Sequence, residues 1–357
     1  MHQSLSINGQ AAAIAPYPQE SLLIGALAEM RGRRLVCTSP GLAQFAAAAA
    51  RALPSAVVSC TYLDLYRANL ALEYWQDLPP NLSIACAADL PKQADVVAFP
   101  FSASGEAELA RELIQAGHEC LPPSGKMYAS TDNPKDAWLG EQLRKVFQKL
   151  ERRALPAGVL YIGTKSVPLK KAKRFSCEFV IRDRGRLIRA ISRPGVFSHR
   201  HIDPGARHLI DALEIEPGAR VLDIGCGAGA VALAAAVRAD GVQVHAVDSN
   251  ARAVECTQRG AALNELTNLT TELNAVGNYS SAGRYDLAAA NPPYFSGFRI
   301  ARHFLTAGRK ALRAGGRILL VTKSPDWYLR NMSDWFAEVT MTERKGYYLF
   351  EGQRPAD

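Results

Sequence analysis

The chain has 357 residues, 48% hydrophobic and 21% charged, with a formal charge of +8. That length suits two domains, each able to bury its own core, and the balance is ordinary for a globular protein. It excludes a membrane protein of the helical kind, since no apolar run approaches the roughly 20 residues a span needs. The alanine runs at Ala46–Ala50 and Ala230–Ala236 are too short and read as helix. The N-terminus, MHQSLSINGQ, has no basic segment followed by an apolar one, so no secretory signal is expected. Seven cysteines (37, 60, 86, 120, 177, 226, 256) never form C-x-x-C, which points to free thiols in a reducing cytoplasm and away from zinc. His199 and His201 lack a Cys or acidic companion nearby and are expected at the surface, not on a metal.

In chain order, the first element with a clear signature is Arg31-Gly-Arg-Arg-Leu-Val-Cys-Thr-Ser-Pro-Gly41, a short apolar run followed by an alanine-rich helical pattern. Shifted by 186 positions it lies over Pro217-Gly-Ala-Arg-Val-Leu-Asp-Ile-Gly-Cys-Gly227, which has the same sequel. Shifted by 191, Asp95-Val-Val-Ala falls on Asp286-Leu-Ala-Ala, and Gly125-Lys-Met-Tyr-Ala-Ser-Thr on Gly316-Arg-Ile-Leu-Leu-Val-Thr. Distant anchors at nearly one offset indicate a tandem duplication. Within each half, short β-branched runs alternate with longer helical patterns, the mark of a parallel sheet with helices on both faces.

Between the halves the charge is concentrated. Arg144 to Arg207 holds 17 Lys or Arg against four acids, +13 locally, leaving −5 for the rest. Such a segment is either a polyanion contact or a solvated helix face and hairpin. It contains residues 175–181 and 186–192, two strands around the Gly-containing turn at 182–185, hence a hairpin. The hairpin either bridges the domains or opens the second one. Beyond it, strands are expected near 219–224, 243–248, 270–275, 285–290 and 316–322, with helices near 228–239, 250–264 and 299–314.

The second half carries the chemistry. Val221-Leu-Asp-Ile-Gly-Cys-Gly-Ala-Gly229 follows a strand and precedes a helix, so its glycines let a ligand approach the backbone without a Cβ in the way. The spacing is G-x-G-x-G, not the G-x-G-x-x-G that seats a pyrophosphate. Asp248, at the end of the next strand, is placed to accept both hydroxyls of a ribose. Together these describe a nucleoside site without a diphosphate, as S-adenosylmethionine needs. Asn291-Pro-Pro-Tyr294 ends the fourth strand and faces the same crevice. The Asn291 amide oxygen and Pro292 carbonyl, held by a stiff turn that Pro293 continues, suit a planar amino group, and Tyr294 would stack on its ring. Accepting both N–H bonds turns the nitrogen lone pair toward a methyl donor and stabilises the charge that develops on it.

DIGCGAG, AVDSN and NPPY in this order resemble the class I S-adenosylmethionine-dependent methyltransferases with a "small" domain. The tandem layout, with Gly195-Val-Phe-Ser198 before the second domain, is similar to the bacterial ribosomal RNA guanine-N2 methyltransferases. The resemblance implies two tandem Rossmann-like, doubly wound α/β domains, the N-terminal copy degenerate: 1–168 for RNA binding or structure, 169–200 a basic hairpin linker, and 201–357 catalytic. It implies S-adenosylmethionine as cofactor, held by Phe197, Ser198, Asp223, Gly225, Cys226, Gly227, Asp248, Ser249, Asn274 and Asn291. Asn291, Pro292, Pro293 and Tyr294 would be catalytic. The expected partner is RNA, ribosomal RNA or a ribosomal subunit, met by a cytoplasmic monomer with neither membrane nor metal. Members commonly have Phe where Tyr294 stands, and Tyr occurs among adenine-N6 and glutamine-N5 enzymes, so those targets are the alternatives. A non-catalytic RNA-binding or assembly factor is the alternative of a different class. In the first half Cys37, Ser39 and Pro40 replace Asp223, Gly225 and Cys226, and Phe99-Pro-Phe101 lacks the polar acceptor, so no cofactor is expected there.

Overall fold

The computed structural model describes residues 14–279, 281–293 and 297–356. Its contacts divide the chain into two units. The first runs to Lys173, except that Leu63–Tyr66 and Cys86–Ala88 cluster with Arg174–Asp357 in the second.

The first unit is built on seven strands: β1 (Arg34–Cys37), β2 (Val57–Tyr62), β3 (Leu82–Cys86), β4 (Val96–Phe101), β5 (Lys126–Thr131), β6 (Lys149–Leu155) and β7 (Gly158–Thr164). Helices α1 (Pro18–Gly25), α2 (Gln44–Ala52), α3 (Leu65–Tyr74), α4 (Ala107–Cys120) and α5 (Trp138–Arg144) alternate with them. The strand order is β3-β2-β1-β4-β5-β7-β6, with β7 antiparallel to β5 and to β6. Phe99, Tyr128 and Tyr161, from β4, β5 and β7, are almost fully buried.

The second unit repeats the plan. After a two-stranded sheet, β8 (Cys177–Asp183) and β9 (Arg186–Ser192), come β10 (Arg220–Ile224), β11 (Gln243–Asp248), β12 (Leu269–Leu273), β13 (Tyr285–Ala290), β14 (Leu312–Thr322), β15 (Ala337–Arg344) and β16 (Tyr347–Gln353). The helices are α6 (Pro204–Ala212), α7 (Ala230–Ala236), α8 (Ala251–Leu263), α9 (Arg299–Ala311) and α10 (Pro325–Asn331). The order β12-β11-β10-β13-β14-β16-β15 matches the first sheet position for position. Strand β13 reads YDLAAA, and Ala288, Ala289 and Ala290 are wholly buried, as a central strand covered on both faces requires.

The expected parallel strands and intervening helices are present, with shifted ends. The helix expected to reach residue 314 stops at Ala311, because Leu312 already pairs with Tyr285 and the Arg313 Nε donates to Asp286 Oδ1 at 2.6 Å. The closing pair β15–β16 was not expected: β15 is exposed along nearly all its length, so it shows no apolar alternation. The β8–β9 hairpin turns through Arg184 and Gly185, at φ +45° and +81°, the two-residue turn that matches strand twist. Ile181, Ile188 and Ala190 on its inner face join the core that also holds the α7 residues Ala230 to Ala236.

Candidate active site

The loop after β10 passes through Gly225, Gly227 and Gly229, all left-handed at φ +77°, +56° and +81°, a conformation that costs any residue with a Cβ. Two bonds pin its first turn to the neighbouring strand: the Gly225 and Cys226 amides donate to the Val247 carbonyl at 2.8 and 3.0 Å. A Cβ on Gly229 would lie 2.8 Å from Thr257 Oγ1, so the loop can pass over α8 only without one. Asp223, itself buried, accepts from the Ala232 amide at 2.9 Å and thereby ties β10 to the first turn of α7. Burial pushes its carboxyl up to about 7, with Asp248 adding to the rise against the Ala232 bond. The buried Cys226 thiol is also driven up by burial, and Thr257 donates to its sulfur. It is thus an un-ionised lining group, not a nucleophile.

Asn291 follows the last residue of β13. Its Nδ2 donates to Asp203 Oδ2 at 2.8 Å, and the same oxygen accepts from the Ala206 amide at 2.9 Å, capping α6. A carboxylate can only accept, so this bond fixes the amide flip and leaves Asn291 Oδ1 as the group on offer. Gly205 permits the approach: a Cβ there would stand 2.8 Å from Asp203 Oδ2 and 3.1 Å from Asn291 Oδ1. Phe197, Ser198, Asp223, Gly225, Cys226, Gly227 and Asn291 line one pocket. Phe197 is 64% exposed, and Ser198, at φ +56°, donates from Oγ to the His201 carbonyl at 3.1 Å. Pro292 is buried and Pro293 half-buried after Asn291, while Tyr294 lies outside the described residues.

Three expected residues stand apart from that lining. Asp248 is joined to it through the loop: Oδ2 accepts from the Gly227 amide at 2.9 Å and Oδ1 from the Asn250 amide at 2.8 Å. Burial raises its pKa in spite of these two bonds. The Ser249 hydroxyl donates to Asp64, a residue that clusters with the second unit, at 2.9 Å. Asn274 closes its own turn, with Oδ1 accepting from the Val276 and Gly277 amides and Nδ2 donating to Glu272 and to the Asn278 carbonyl. Its backbone amide donates to the Asp248 carbonyl at 3.0 Å, which sets the strand ends side by side.

Residues 188–351 match the family model of the methyltransferase small domain. YbxB of Bacillus subtilis is 30% identical over 171 residues, 46% of this chain and 84% of that protein. The chain belongs to the methyltransferase small-domain family. The ribosomal RNA small subunit methyltransferase C of Chromohalobacter salexigens is 36% identical over 42% of this chain and 46% of its own. The match thus spans about half the length of such relatives. Over the whole fold, the T. thermophilus 16S rRNA N2 methyltransferase, solved with AdoMet and guanosine, superposes with a TM-score of 0.75 at 22% identity, covering 98% of this chain and 97% of that one.

For a small-domain methyltransferase, the residues that sequence reasoning missed are Asp203, Gly205, Ile202 and Phe179. Asp203-Pro204 carries the signal of a helix start, but nothing in it points toward Asn291. The basic segment also divides. Arg189 pairs with Glu178 at 2.8 Å, Arg193 with Glu255 at 2.6 Å, and Arg153 with Glu29 and Glu151, so those charges are largely spent within the fold. Lys170, Lys171, Arg182 and Arg186 are exposed with no ion pair among the described residues. No group of three His, Cys, Asp or Glu suited to a metal occurs among the described residues, and none of their helices is long and apolar enough to cross a membrane.

Proposed function

We propose that this chain transfers a methyl group from S-adenosylmethionine to guanine N2 of ribosomal RNA. The observation that carries the reading is Asn291: an amide at a strand end, flipped by Asp203 so that its oxygen is the acceptor on offer, in the pocket lined by the glycine loop. The residues present fit the cofactor. Three left-handed glycines leave their positions on the loop without a Cβ, and Asp248 keeps lone pairs beyond those taken by Gly227 and Asn250. When bound, S-adenosylmethionine supplies a sulfonium methyl, an electrophile that transfers as the carbon–sulfur bond breaks.

The chain's own part is orientation. Asn291 Oδ1 and the Pro292 carbonyl accept the two N–H bonds of the amine, which points its lone pair out of the ring plane and favours the positive charge that builds on nitrogen. Solvent takes the proton once the new bond has formed. Asp203 holds the amide so that no reorientation is needed as this happens. The relatives named for small-subunit ribosomal RNA, and the structural neighbour solved with guanosine, support RNA guanine as target. The unit of action is taken as a monomer in the cytoplasm.

The test is to incubate total RNA from cells lacking the protein with the purified chain and labelled cofactor, then map the labelled base. Label on guanine N2 of ribosomal RNA, lost in Asn291→Ala, is the expected result. Label on adenine N6 or on a protein glutamine would replace this reading.

A further inference from the structure

Beside the Asn291 pocket, and sharing Ile202 with it, an open cleft runs between the β8–β9 hairpin and α6. Its charged lining is Arg182, Arg184, Arg207 and Arg238 against Asp183 and Asp211. Asp183, almost fully buried, holds Arg238 through two bonds of 2.9 Å and lies 3.6 Å from Arg207, which also pairs with Asp211 at 2.7 Å. Those two arginines therefore use both carboxylates. Arg184 makes one long bond, 3.4 Å to the Leu213 carbonyl, and the exposed Arg182 guanidinium makes none among the described residues. Four guanidiniums facing two carboxylates leave two positive charges uncompensated in a concave place. Burial, with Arg184 and Arg207 nearby, lowers the Arg238 pKa even beside Asp183, as expected where like charges crowd.

We infer that this cleft seats a backbone phosphate of the RNA strand next to the target nucleotide. The inference rests on the reading of the substrate as RNA and says where its strand leaves the pocket. Guanidinium forks match phosphate oxygens, and the floor is held in place before any ligand arrives, because Arg238 and Arg207 are braced by Asp183. Arg184 is presented by the fixed two-residue turn with Gly185. A base turned out of its stack into the Asn291 pocket keeps its flanking phosphates outside, and the cleft that shares Ile202 is the adjoining basic surface.

The test uses small-subunit ribosomal RNA transcribed in vitro, titrated against the full chain and against Arg182→Gln/Arg184→Gln at several salt concentrations, read by binding and not by turnover. Each phosphate contact contributes about 0.7 to 0.9 to the slope of log K against log salt. The expected result is a shallower slope, by about one contact or more, and roughly tenfold weaker binding at low salt, with cofactor binding and melting temperature unchanged. An unchanged slope and affinity overturn the cleft assignment, and so does a lower melting temperature with an unchanged slope, which would make these arginines braces of the fold. If the unaltered chain binds no ribosomal RNA, the substrate reading falls, and the cleft with it.

Discussion

The loop after β10 in the back half and the loop after β1 in the front half occupy the same place in identical sheets, yet they use their polar groups in opposite ways. In the back half, three glycines keep their positions free of a Cβ and the carboxylate of Asp248 steadies the turn through Gly227. In the front half, Ser39 Oγ accepts from the Gly41 and Ala43 amides and donates to Glu20 at 2.8 Å. Tyr62, Trp75 and Arg67 then donate to the Gly41, Leu42 and Pro40 carbonyls. The front loop is stitched by its own neighbours. What the halves share is bracing away from the loops. Asp95 accepts from the Arg34 amide as Asp286 does from Arg220, and Asn81 ties the β2 side of its sheet as Asn268 ties the β11 side. A duplicated scaffold thus retains its frame while one copy closes the place where the other offers a surface.

The sharpest way to break this comparison is to disable the back loop alone. Asp248→Ala should abolish S-adenosylmethionine binding in calorimetry, where one site is expected for the unaltered chain. A residual or second site would mean that the front loop also holds the cofactor. Next in size, Asn291→Ala should cost about 10²–10³-fold in methyl transfer while the cofactor still binds, the scale for removing one acceptor aimed at developing charge. Asp203→Ala should lose about tenfold to a hundredfold in kcat from the freed amide, plus about 1 kcal/mol of stability from the lost cap. Asp203→Asn should restore most of both, because a single amide oxygen in the place of Oδ2 accepts from the Ala206 amide and from Asn291 Nδ2 together.

Asp223 sharpens the contrast through pH. Its folded-state pKa, about 7, lies above that of an unfolded aspartate, so the native state binds the extra proton between roughly pH 4 and 7. Stability should therefore fall as pH rises through that window, and the difference between the chain and Asp223→Asn should vary there by a few kcal/mol, about 1.4 per tenfold change in proton activity, and level off above it. Denaturant unfolding across pH checks this. Cys37, in the matching front position, gives no such change near neutrality, its pKa being raised far above it. The smallest effect expected is Ser39→Ala, about 1–3 kcal/mol of stability with turnover unchanged.

Much of this was legible in the sequence because small-residue loops and β-branched runs are local signals. The duplication offsets alone set β1 on β10 and β4 on β13, and the pocket brings together Phe197, Ser198, Asp223, Gly225, Cys226, Gly227 and Asn291. What stayed hidden depends on partners far along the chain. Asp203 reaches Asn291 across 88 positions, and its sequence context announces only a helix cap. For Asn274, a cofactor contact by resemblance, the bonds its side-chain amide makes within its own turn are likewise not legible from the sequence. The arginines between the halves could not be sorted by counting, since Glu178, Glu255 and Asp183 decide which of them remain unpaired.

Each oxygen of Asp248 spends one lone pair on a backbone amide, Gly227 on one side and Asn250 on the other, like guy ropes on a mast. On the reading above, the rotamer that meets a vicinal diol is locked by the same amide that shapes the glycine turn. Sugar recognition and loop shape are then a single mechanical part, and a substitution that shifts either one detunes both.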